Sequence, residues 1–119
     1  MRYRDTSKYD RQRGWFLPDD YLAHLEDPAE AARRIAAEQA GLDLAIVGLA
    51  DLESFGNGKW HLVFHYVAEL ASVPKVKPGE NVEAAEWFGL DDLPERQQMA
   101  HEGWALDVLQ KMLGDATVR

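Results

Sequence analysis

Arg34 and Glu38 are four residues apart in an alanine-rich stretch, and a guanidinium and a carboxylate at that spacing meet on one face of a helix. His61 and His65 flank Val63 in a segment of alternating pattern, so both imidazoles project from one face of a strand. Such a pair can hold a metal ion, although histidines on a mixed face also serve as plain polar surface. His24 and His101 stand alone. Arg2, Arg4, Lys8, Arg11 and Arg13 crowd the first thirteen positions. They read either as a solvated tail or as a loop that contacts phosphate, in which case Arg13 would touch substrate. The chain has no cysteine, which excludes disulfides, zinc–thiolate sites and cysteine nucleophiles. It has no glycine-rich phosphate loop and no nucleophile elbow.

The bulk composition narrows the partners. A chain of 119 residues, 46% apolar, suits one domain over 1–119. The net charge of −8 repels nucleic acid. It leaves room for an anionic small ligand if a cation or a few arginines offset the field locally. No apolar run approaches the ~20 residues that span a bilayer. The start, Met1 to Arg13, is too polar for a signal peptide. With the lack of cysteine, this fits a cytoplasmic protein.

These side chains need elements to position them. Trp15–Pro18 reads as a short strand ended by proline. Asp27-Pro28-Ala29-Glu30 reads as a helix start with reciprocal capping, Asp27 accepting from the first turn and Glu30 reaching back. That helix is expected over about 28–40, stopped by a left-handed Gly41. Strands are expected at about 44–55 and 60–70, with Asn57-Gly58 as a two-residue hairpin turn. In the second strand Trp60, Leu62, Phe64, Tyr66, Ala68 and Leu70 share one face, expected to be core. His61, Val63, His65, Val67 and Glu69 share the other, which would border a site or solvent. A loop over 71–81, a strand near 82–88 and a helix start at Asp91–Pro94 follow. A last helix is expected over about 99–113, packed through Ala105, Val108, Leu109 and Met112.

From Trp15 the chain runs WFLPDDYLAHLEDPAEAARRIAAEQAGLDL. This resembles the Nudix family, whose box is G-x5-E-x7-R-E-U-x-E-E-x-G-U, U being aliphatic. The spacing is kept throughout. Glu26, Arg34, Glu38, Gly41 and Leu42 match; Asp20 stands for the opening glycine, Ile35 for a glutamate and Gln39 for another. Trp15, Leu17 and Pro18 resemble the lead-in, which normally ends in two glycines where this chain has Asp19 and Asp20. Gly79–Pro94 resembles the late strand and its tryptophan. The resemblance covers most of residues 15–113. It implies an α+β chain, a Nudix-type α/β/α sandwich with a mixed sheet. The strands that usually precede the lead-in would be reduced or missing, with Met1–Arg4 a remnant of the second. Such a gap exposes an edge and apolar surface, so either a homodimer covers it or the chain is part of a longer product.

The resemblance also implies hydrolysis of a nucleoside diphosphate linked to another moiety X, with Mg²⁺ or Mn²⁺ held by helix carboxylates. Glu38 and Glu26 would serve as metal ligands and catalytic groups, with Arg34 orienting them. Ile35 and Gln39 remove two negative charges from the metal face, which weakens any cation site. Asp19 and Asp20 are candidate replacements, or else only a polar turn; Glu83 is a further candidate, near substrate. Restoring both lost glutamates, Ile35→Glu with Gln39→Glu, would be expected to rebuild the site. The alternative is a catalytically inactive Nudix-like module that binds a ligand or another protein.

Overall fold

In a computed structural model the chain is described over residues 1–56 and 58–117, with backbone alone for Val47 and for residues 113–117. Asn57, half of the expected turn, lies outside the described residues. Elements follow in the order β1 (Arg2–Tyr3), α1 (Pro28–Ala40), β2 (Ile46–Gly56), β3 (Trp60–Ala68), β4 (Val82–Ala84) and α2 (Trp104–Thr117). Two three-residue 3₁₀ turns, Arg96–Gln98 and Ala100–Glu102, precede α2. Strands pair antiparallel as β1 with β4 and β2 with β3. The expected α+β character holds. Among the described residues the parallel component of the mixed sheet is a single bridge, Trp15 to Met99, and the lead-in forms no longer strand.

α1 has the bounds its caps dictate. The Asp27 carboxylate accepts from the Glu30 amide, Pro28 opens the first turn, and Gly41 takes the left-handed conformation at φ 66°. The Gly41 amide bonds back to the Ala37 carbonyl at 3.0 Å. The reciprocal arm of the capping box differs, because Glu30 turns to Arg33 at 3.4 Å. Ala31, Ala36 and Ala40 make the buried stripe.

The first nine residues are not a tail. Tyr3 and Tyr9 are buried with Phe16, Val82 and Ala100. Their rings stack at 3.9 Å and 5°, with Phe16 edge-on to both. β1 holds Tyr3 there by pairing with Val82, and the Met1 ammonium donates to the Phe16 carbonyl at 2.8 Å. α2 begins later than the pattern suggests, since His101, Glu102 and Gly103 take positive φ and break the helical path. Ala105 and Val108 are buried as expected, and Leu109 and Met112 are partly so.

The hairpin departs most from expectation. Gly56 pairs with Trp60, so three residues separate the strands, and Asp51 stands opposite His65. The face expected to be core is exposed at Leu62 and, at 75%, at Trp60, as are Leu49 and Leu52, which pair across from it on β2. The mixed face meets α2 instead, with the His65 and Trp104 rings 5.8 Å apart. Alternation identifies which residues share a face but not which face finds a partner layer.

Candidate active site

The lead-in loop and α1 bring the box residues together around one guanidinium. Arg34 sits on the second turn of α1. Its Nε donates to Glu26 Oε2 at 2.8 Å and one terminal nitrogen reaches Glu26 Oε1 at 3.0 Å. The other terminal nitrogen reaches Glu38 at 3.2 Å and comes within 4.0 Å of Asp20. The nitrogen bonded to Glu26 Oε1 also ties the loop, donating to the Tyr21 carbonyl at 2.9 Å. This fork fixes Glu26, whose second role is to accept from the Ala23 amide at 2.9 Å. Arg34 first, and that amide next, hold the Glu26 carboxyl below its usual range. Asp20 has a second cation, Lys8, at 2.6 Å. Glu38 is the open member of the set, its side chain 57% exposed.

Gln39 is the residue whose role the motif alone misreads. It is 8% exposed and points inward, away from any metal face. Its oxygen accepts from the Tyr3 hydroxyl at 2.7 Å, and its nitrogen donates to the Asp19 carbonyl at 2.7 Å. Tyr9 donates to the same carbonyl at 2.8 Å. The amide therefore straps α1 to β1 and to the loop, which a carboxylate cannot do because it has no donor. Glutamate at 39 would still accept from Tyr3 and would lose the donor to the Asp19 carbonyl, so rebuilding the box by Ile35→Glu with Gln39→Glu would come at the cost of this strap. The aromatic pair Tyr3 and Tyr9 gave no signal in the sequence beyond their apolar rings. Burial raises the Tyr9 hydroxyl to about 12 and Tyr3 higher still.

Asp19 keeps its backbone in that strap. Burial first, and the Asp20 charge next, push its carboxyl up to about 6. Glu83, on β4, and Arg13 are exposed and join none of these contacts. The two histidines of β3 part company. His61 stacks on Phe55 at 5.5 Å, whereas Nε2 of His65 lies 2.6 Å from Glu53 Oε1.

The donor set Glu26, Glu38, Asp19 and Asp20 is anionic oxygen, which suits Mg²⁺ or Mn²⁺ by chemistry. By geometry it fits less well, since Arg34 and Lys8 already neutralise it. Among the described residues the one trio of potential ligand atoms lying within 4.8 Å of one another is Asp51, Glu53 and His65. A shallow groove beside the box is lined by Arg33, Arg34, Ala37 and Leu42. No described helix is long and apolar enough to cross a membrane.

A family model described as NUDIX domain matches residues 3–110. No curated protein and no solved structure matches. The family match supports a Nudix hydrolase in general and specifies no substrate. It runs from Tyr3 of β1 into the first half of α2, including the tyrosine core and the Arg34 cluster, so the chain belongs to the Nudix family.

Proposed function

We propose that the protein is a Nudix-type hydrolase of divergent site, cleaving a nucleoside diphosphate linked to another moiety. The observation that carries this reading is the Arg34 fork, which gathers Glu26, Glu38 and Asp20 around one guanidinium. Arg33 and Arg34 line the groove beside the box and would meet substrate phosphates, a role that suits the planar guanidinium. Glu38 and Glu26, with Asp19 or Asp20 from the loop, would hold Mg²⁺ or Mn²⁺. The ion would offset phosphate charge and lower the pKa of an attacking water. Arg34 orients Glu26 and Glu38. Arg13 and Glu83 are assigned to the outer part of the substrate site on the sequence alone.

A second reading has its own support. Arg34 and Lys8 neutralise the box, and Gln39 serves as a strut, both of which suit a binding module that has given up catalysis. Phosphate release from nucleotide sugars, ADP-ribose and nucleoside triphosphates, with either cation, separates the two. Turnover that requires the ion supports the enzyme. Silence across the panel from a folded protein supports the module. We further propose a homodimer through the exposed apolar face of the β2–β3 hairpin, and a cytoplasmic location.

A further inference from the structure

We propose that Asp51, Glu53 and His65 form a divalent-metal site on the β2–β3 hairpin, with ligands other than those of the box, selective for zinc or manganese(II) over magnesium. Asp51 and Glu53 alternate along β2, and the register sets His65 of β3 directly across from Asp51. All three side chains therefore leave the hairpin on one face. One ligand atom from each lies within 4.8 Å of the others. Ligands sharing a zinc ion at ~2.0–2.2 Å stand roughly 3–4 Å apart. The 2.6 Å hydrogen bond between His65 Nε2 and Glu53 would open slightly and the trio contract onto the ion. Coordination through Nε2 requires the proton of that hydrogen bond to leave Nε2, to Nδ1 of a neutral ring or to solvent from a charged one.

A second observation is a buried carboxylate oxygen whose partner can leave. Oδ2 of Asp51 is buried, and its charge partner is Lys111 Nζ at 3.1 Å, on a side chain 62% exposed that can swing to solvent. The His65 ring is almost enclosed, 10% exposed and packed near Trp104, so its orientation is fixed before a metal arrives. Two carboxylates balance a dication, and the imidazole shifts preference from magnesium toward zinc and manganese.

The test is calorimetric titration of the full chain with Zn²⁺, Mn²⁺ and Mg²⁺, alongside E53Q, D51N and E38Q, with circular dichroism to confirm folding. Expected is one Zn²⁺ per chain in the parent and in E38Q, weakened at least tenfold in E53Q and D51N, with Mg²⁺ far weaker. Co²⁺ substitution, read by its visible absorption, should report a nitrogen ligand that H65Q removes. K111M should bind more tightly, by roughly 5- to 10-fold, because a nearby positive charge is gone. Binding absent from the parent, unchanged in folded E53Q and D51N, or lost in E38Q overturns the proposal. Glu38 gives no ligand atom to this trio, so zinc binding kept in E38Q and weakened in E53Q and D51N is read independently of turnover, and failure here is distinguishable from failure of the hydrolase reading.

Discussion

At the scale of single residues, the position that most changes the meaning of the box is Gln39. A motif reading treats it as a lost metal ligand. Its bonds to Tyr3 and Asp19 show a buried amide that uses both its acceptor and its donor. Gln39→Glu should therefore cost about 1–3 kcal/mol, because a buried carboxylate oxygen replaces one of the donors to the Asp19 carbonyl. Urea unfolding measures this, and an unchanged midpoint would refute the strut. Asp19 yields a pH prediction. Its folded pKa of about 6 lies above the ordinary 3.8, so its protonated form is favoured by folding. The resulting stability is present below the ordinary value and is lost as pH rises through about 6. In chelator-treated protein, Asp19→Asn should raise the melting temperature near neutral pH and change it little near pH ~4. An equal shift at both pH values would contradict the burial argument.

At the scale of elements, α1 was legible and the hairpin register was not. Asp27, Pro28 and Gly41 state the helix bounds locally, since each acts through neighbours within four residues. Asp27→Ala should cost about 1 kcal/mol, measurable by the same unfolding titration. Asn57-Gly58 suggests a two-residue turn, yet Gly56 pairs with Trp60. A slip of one residue moves every cross-strand partner, and with it the set facing His65. Asp51 and Glu53 could not be joined to His65 before that register was known. The start of α2 fails for a related reason, because the break is carried by His101 and Glu102, non-glycine residues in the left-handed region, as well as by Gly103. Tyr3 and Tyr9 were hidden by the basic residues around them. Their core role depends on β4, about eighty positions away, which a local pattern cannot reveal.

At the scale of the whole molecule, the sequence carried the family and the box cluster, while the distribution of exposed surface came only from the structure. Leu49, Leu52, Trp60 and Leu62 leave one hairpin face open. Such a patch favours a partner. The protein should sediment as a dimer at micromolar concentration, and Leu52→Glu with Leu62→Glu should yield a folded monomer. A monomeric parent would remove the proposed interface. The central claim concerns the box, where Arg34 gathers Glu26 and Glu38. Its most direct test is kcat/KM for Mg²⁺- or Mn²⁺-dependent cleavage of the best nucleoside-diphosphate compound, compared between the parent and Glu38→Gln. The account expects a fall on the order of 10²-fold with folding unchanged. Equal turnover in the two proteins, or none in the parent with either ion, would contradict it.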